Sequence, residues 1–308
     1  MTSARPTGER IAFEVALPAG YDLAPVRAFH GRDPERTSEF LADRTLTKGV
    51  MLGGVPTRFD VTFQLAQGRA DCVIQVDGAA SAALRDEARR VVDGLLGLRL
   101  DPAPFAAAFA HDPAVGALAL RQPGLRIIQS PSPYEALTWA IRGQQINVAF
   151  AVSLRRTFIE LTGRRHSSGL HCYPVPADVA RLPLEALTTR QFSRSKAETI
   201  LRLSTLVADG TLALDERPSN AVEAIGAALL AVKGIGPWTV NYGLLRGYAH
   251  ADASLHGDVA VRTAIGRLRG LARRPTAEEA AAFLAQYAPH RTMAAAHLWS
   301  SLDQPAAF

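Results

Sequence analysis

At 308 residues, the chain is long enough for two or three packed units. Its 48% hydrophobic and 20% charged residues are the proportions of a globular protein with a full core, and no apolar run approaches the roughly 18 residues that a membrane-spanning helix needs. The net charge of +5 is unevenly placed: residues 121–210 carry 12 Lys/Arg against 6 Asp/Glu, whereas residues 1–120 carry 13 against 15, so the excess points to one face meeting a polyanion. A solvated Arg-rich surface is the plainer reading of the same excess. Two cysteines, Cys72 and Cys172, exclude a disulfide framework and a four-cysteine iron–sulfur cluster. The opening "MTSARPTGER" lacks the apolar segment of a secretory signal, so a cytoplasmic setting is expected.

In chain order, "IAFEVALP" alternates like a strand, and "TSEFLADRTLT", "RFDVTFQLA" and "ADCVIQVDG" add strand-like runs broken by Gly-Gly and Gln-Gly turns. "SAALRDEARRVVDGLLGL" then places Leu84, Ala88, Val91 and Leu95 at helical spacing. The expected fold class is α+β: a small antiparallel sheet with helices over residues 1–100, followed by an all-α assembly. Ser132, Pro133 and Glu135 supply an N-cap, an N1 proline and an N3 carboxylate, and Ser195–Glu198 and Thr276–Glu279 read as capping boxes. Further short helices are expected at 184–187, 199–206, 221–232, 259–268 and 280–287. The stretch "RRHSSGLHCYP", with His166, His171 and Cys172, reads as an exposed loop rather than a metal site, which would need a fourth ligand.

"VKGIGPWTV" interrupts this helical pattern at residues 232–240. A dinucleotide loop would need a third glycine and a preceding strand, but position 239 is Thr and the preceding run is helical. The stretch instead predicts a tight hairpin between two helices. Gly234 ends the first at positive φ, Gly236 allows close backbone approach, and Pro237 begins the second helix. Unpaired amides at that helix start can hold a phosphate, although an ordinary glycine-capped corner has the same spacing. Twenty residues after Trp238, Asp258 opens another helix in "LHGDVAVR"; a plain N-cap is the commonest role for such an Asp.

At this point the sequence resembles the helix-hairpin-helix DNA glycosylases, and within them the bacterial 3-methyladenine DNA glycosylase II group. The resemblance is carried by "YDLAPVRAF", "IRGQQINVAFA", "FSRSKAETILRLSTLVADG", "VKGIGPWTVNYGLLRG", "LHGDVAVR" and "HRTMAAAHLWSSL", in that order, and covers nearly the whole chain. It implies a small sheet domain (1–100), a helical subdomain ending in the hairpin (126–250), and a second helical subdomain (101–125 with 251–308) that completes the cleft. It further implies a hydrolase that turns an alkylated base (3-methyladenine or 7-methylguanine type) out of double-stranded DNA, cuts its N-glycosidic bond and leaves an abasic site. Cytoplasmic base excision repair by a monomer associated with the nucleoid, with no membrane, is the expected setting.

On this resemblance Asp258 is the catalytic carboxylate that stabilises the cationic sugar and helps deprotonate water. Trp238, Tyr242 and Trp299, with Phe29, form the base pocket, whose aromatic faces suit a cationic base; a core role for the same aromatics is the alternative. Gly234, Gly236, Thr239 and Lys233 meet the DNA backbone. Gln145 and Gln144 occupy the minor-groove wedge, where relatives carry leucine. The backbone carbonyls of Leu230, Val232 and Ile235 match a Na+ or K+ site of the family, and no other cofactor or iron–sulfur cluster is implied. The lyase members carry a nucleophilic lysine where this chain has Trp238, so water is the expected nucleophile. Gly257 stands where a second acidic residue is familiar. Excision of deaminated or oxidised purines, and non-catalytic DNA binding through the hairpin, are the competing readings.

Overall fold

The computed structural model describes residues 8–215 and 222–302. Five antiparallel strands open the chain: β1 (Glu9–Ala16), β2 (Glu39–Ala42), β3 (Thr45–Leu52), β4 (Val55–Gln64) and β5 (Arg69–Val76), in the spatial order β1-β5-β4-β3-β2. Inward and outward residues alternate along β4 and β5, as a sheet with one covered face requires. Helix α1 (Ala24–His30) joins the first two strands, and α2 (Ala82–Leu95) packs on the sheet. Ser81 caps α2, and Leu84, Ala88, Val91 and Leu95 are buried on one face, as their spacing predicts.

The remaining elements among the described residues are helices: α3 (Ala103–Ala108), α4 (Val115–Arg121), α5 (Pro133–Gly143), α6 (Val148–Thr162), α7 (Pro176–Val179), α8 (Leu184–Thr188), α9 (Arg194–Ala208), α10 (Val222–Leu230), α11 (Pro237–Tyr248), α12 (Val259–Leu268), α13 (Ala277–Ala285) and α14 (Arg291–Ser301). They share one continuous core from Phe105 to Leu298, separate from the core beneath the sheet. The α+β expectation therefore holds. Position 221 of the expected helix 221–232 lies outside the described residues.

Three local expectations are corrected. The capping box at Thr276 and Glu279 forms as expected, but Ser193, not Ser195, caps α9 by accepting from the Lys196 amide. Ser195 lies inside that helix, because the chain turns into it two residues earlier. Ser132 caps α5, accepting from the Glu135 amide at 3.2 Å, but the Glu135 carboxylate turns to Lys48 and Arg155 instead of back to the cap. The stretch "RRHSSGLHCYP" is an exposed loop only in part: Arg164, Arg165, Ser167, Ser168 and Gly169 are exposed, but His166 and Cys172 are buried, Arg165 and His171 pair as a β-bridge, and Gly49 of β3 lies directly beneath the His171 carbonyl. A methyl group on Gly49 would stand 2.2 Å from that oxygen, so the close approach depends on glycine.

The sheet domain and the helices meet at a buried ion cluster. Glu39 accepts from Lys48 (2.5 Å) and faces His30 Nδ1 (2.7 Å), and Arg155 Nη2 bridges Glu39 (2.9 Å) and Glu135 (3.0 Å). Lys48 Nζ reaches Glu135 Oε1 at 3.1 Å. Two carboxylates and two cations therefore close on one another out of water. Burial outweighs the Glu39 contacts at His30 and holds its imidazole below the usual range, so the ring is neutral. This cluster fixes the end of α1, the helix that carries Phe29.

Of the 12 basic residues in 121–210, Arg142 and Arg155 are buried, Arg142 donating to the Tyr173 hydroxyl at 2.7 Å. Arg156 pairs with Asp33. The charge excess of that segment thus overstates its exposed positive face.

Candidate active site

The expected hairpin is present. Gly234 has φ +97 and lies on α9, where a Cβ would stand 2.0 Å from Thr199 Oγ1, so this turn requires glycine twice over. Gly236 is the N-cap of α11 and Pro237 its first residue. The amides of Trp238 and Thr239 therefore have no acceptor within the helix. Lys233 is exposed, and its carbonyl accepts from Arg202 Nη1 at 3.0 Å. The Val232 carbonyl accepts from the Ile235 amide at 3.0 Å. Among the described residues no group of His, Cys, Asp and Glu could hold a metal ion.

Helices α5 and α11 pack closely because Gly243 and Gly247 sit one turn apart on the shared face. A Cβ at Gly243 would meet Leu137 Cδ2 at 2.6 Å, and one at Gly247 would meet the Pro133 Cα at 2.7 Å. The loop after α5 is thereby carried to the hairpin. Gln144 Nε2 donates to Thr239 Oγ1 at 3.0 Å, and Thr239 is buried. Gln144 is thus a tether, and the Thr239 hydroxyl is turned to it. Gln145 is exposed beside it at φ +56, a backbone conformation that side chains other than glycine rarely adopt.

Asp258 caps α12, its Oδ1 accepting from the Val261 amide at 2.9 Å. The same carboxylate takes two indole N–H groups, Trp238 Nε1 on Oδ2 at 2.8 Å and Trp299 Nε1 on Oδ1 at 3.0 Å. The expected N-cap role is therefore filled, and the same carboxylate takes two further donors from the cleft side chains. All three of these donors are neutral, so the carboxylate is aimed and solvated without its charge being cancelled. Upstream, the Asn241 side chain accepts from the Ser254 amide at 2.8 Å and fastens the segment that leads to Asp258.

A cleft of about 1020 Å3 joins these parts, lined by Gln144, Gln145, Gly236, Trp238, Gly257 and Asp258 among others. Tyr242 lies behind Trp238, ring centroids 5.5 Å apart, and is buried. Phe29 lies apart from this cleft, lining a small separate cavity with Arg32, Glu39 and Trp139, and is linked to Trp299 through a residue that the sequence reading passed over. The Arg246 guanidinium lies 4.9 Å from the Phe29 ring centroid and 5.6 Å from that of Trp299. Phe29 also faces Arg32 at 4.7 Å, which in turn faces Trp139 at 5.7 Å. Rings and guanidiniums alternate from Trp139 to Trp299. Burial pulls the Arg246 pKa below its usual range, with the neighbouring Arg32 charge adding to the effect and Tyr242 opposing it; an arginine nonetheless stays protonated. The available signal was spacing: Trp238, Tyr242 and Arg246 recur every four residues on α11 and share a face.

Comparison with known proteins bears on the family and the fold. Residues 138–290 match the family model of the HhH-GPD superfamily of base excision DNA repair proteins. It is similar to the Bacillus subtilis protein YfjP, 33% identical over 180 residues, which make up 58% of this chain and 62% of that protein, less than two thirds of its length. A Bacillus subtilis DNA-3-methyladenine glycosylase is 26% identical over 291 residues, 94% of this chain and 96% of that one. The solved 3-methyladenine DNA-glycosylase from Archaeoglobus fulgidus superposes with a TM-score of 0.77 at 21% identity, over 94% of this chain and 97% of that one, and so shares the fold.

Proposed function

We propose that this protein is a monofunctional DNA glycosylase that hydrolyses the N-glycosidic bond of alkylated bases, of the 3-methyladenine and 7-methylguanine type, and leaves an abasic site. The observation that carries the reading is the Asp258 carboxylate, held at the cleft by three neutral N–H donors a few ångströms from the hairpin's helix start. Breaking the bond puts positive charge on the sugar. One carboxylate at about 4 Å, with an effective dielectric near 20, is worth roughly 4 kcal/mol against that charge, or about three orders of magnitude in rate.

The remaining roles belong to the same proposal. Backbone amides near Gly234, Gly236 and Thr239, with Lys233, hold the phosphodiester beside the lesion without reading sequence. Gln145, exposed at the tip of a loop tethered by Gln144, fills the gap left by the flipped base. Trp238, in the place of the lyase lysine, leaves water as the nucleophile. The Leu230, Val232 and Ile235 carbonyls are the proposed seat of a monovalent cation. Double-stranded DNA with damaged bases is the proposed partner and a monomer the acting form, in the cytoplasm at the nucleoid. Among the described residues no helix is long and apolar enough to cross a membrane.

Release of 3-methyladenine or 7-methylguanine from methylated duplex DNA tests the reading, with Asp258→Asn as the control. Salt-sensitive binding without an abasic product on any lesion would instead mark a non-catalytic DNA-binding protein.

A further inference from the structure

Asp258 and Arg246 stand at opposite ends of one wall. Trp238, Tyr242 and Arg246 lie on the same face of α11, and eight residues of helix separate the first from the last by about 12 Å. Trp299 spans the interval: its indole N–H binds Asp258 and its ring faces the Arg246 guanidinium. A base laid against this wall with its sugar at the carboxylate points its ring toward the guanidinium. Arg246 is held in place, Nη1 donating to the Ile128 carbonyl at 2.6 Å, and its buried Nε has no hydrogen-bond partner, while the residue as a whole is half-buried. The described groups that share this face are the neutral rings of Phe29, Tyr242 and Trp299, together with Arg32. Among the described residues the Arg246 guanidinium donates to a backbone carbonyl and not to a carboxylate.

We propose that Arg246 acts on the departing base, drawing the electron pair of the breaking bond away from the sugar. This rests on the glycosylase reading of the site. In the reaction the C1′–N bond breaks heterolytically and its electron pair leaves with the base. Water adds its oxygen to C1′ and gives up a proton. A cationic base then departs neutral, while a neutral base gains negative charge and takes up a proton as it leaves. In both cases the base becomes more negative by one charge while the sugar becomes more positive. A fixed cation at the base end and a fixed anion at the sugar end favour that shift whatever the lesion. The lesions differ before reaction: a cationic base is repelled by Arg246 in the bound state and a neutral one is not.

The test is single-turnover excision of 7-methylguanine (cationic) and hypoxanthine (neutral) from duplex oligonucleotides by wild type, Arg246→Met and Arg246→Lys. With enzyme saturating, Arg246→Met should slow both lesions by roughly tenfold to a hundredfold. With enzyme limiting, it should slow hypoxanthine as much but leave 7-methylguanine within threefold, because tighter binding of the cationic base offsets the slower step. Arg246→Lys, which keeps the charge and loses the fork to Ile128, should retain most of the rate. Equal losses for Met and Lys, or equal losses for both lesions under limiting enzyme, would overturn the proposal in favour of a scaffold role. Wild type gives a reading free of any folding defect: its limiting-enzyme acceleration over spontaneous base loss should be larger for hypoxanthine than for 7-methylguanine, and the reverse order also overturns it. No excision of any base by wild type would sink the glycosylase reading instead.

Discussion

The molecule treats its buried and half-buried carboxylates in two opposite ways. At the seam between sheet and helices, Glu39 and Glu135 are closed off by Lys48 and Arg155, and no net charge is left over. At the cleft, Asp258 receives two indole N–H groups and one backbone amide, each neutral. The first arrangement spends its charge on joining two parts of the chain. The second leaves its charge uncancelled, and in the proposed reaction that charge meets a cation that is absent from the resting protein and present in the transition state. Neutral donors aim a carboxylate as firmly as a salt bridge does, but they leave its field standing.

The sharpest way to break this contrast is to remove the charge at the cleft. Asp258→Asn should lower single-turnover excision by about three orders of magnitude, roughly 4 kcal/mol, with little change in thermal stability. A rate within a few-fold of the parent would mean the carboxylate is only a helix cap. The mirror experiment is Lys48→Met at the seam, which leaves two buried carboxylates sharing one arginine. It should destabilise the fold by about 3 kcal/mol in urea titration, while the folded fraction excises bases at the parental rate.

Acid should separate the two regions further. Burial drives His297 down to about 4, and His30 is also held below its usual range by burial. A histidine kept neutral in the fold but able to protonate when unfolded contributes stability in full above its unfolded pKa of about 6.5; that stability is lost as pH falls toward the folded value. For His297 the loss reaches about 2 kcal/mol by pH 5. Denaturation midpoints at pH 7, 6 and 5 would show the decline, and His297→Leu should flatten it. The smallest effect is expected at Gln144. Removing its bond to Thr239 with Gln144→Ala should weaken binding of lesion-containing duplex by about 1 kcal/mol, near fivefold, in a fluorescence titration.

The legible parts of the site were those written in local spacing. The Gly-Ile-Gly-Pro break, the Asp258 cap and the four-residue step from Trp238 to Tyr242 each announce themselves within a few positions. The seam was invisible, because Glu39, Lys48, Glu135 and Arg155 lie up to 116 positions apart and each reads alone as a solvated charge. Arg246 was missed for a related reason: an arginine in the last turn of a helix is unremarkable until Phe29 and Trp299 close on it. Cys172 and His166 were placed in an exposed loop because nothing in "RRHSSGLHCYP" reveals that Gly49 leaves room for the segment against the sheet. At α9, two serines two residues apart both fit a cap, and only the path of the chain chose Ser193.

The placement of Phe29 has a kinetic consequence. The wall that faces Arg246 from one side comes from the first helix of the chain, and the wall on the other side comes from the last described helix. This stack of rings and guanidinium therefore closes a loop of nearly the whole polypeptide, the kind of long-range contact that forms late. On refolding from denaturant, helical signal and the cores should return first and base excision last, with a lag set by docking of the sheet domain.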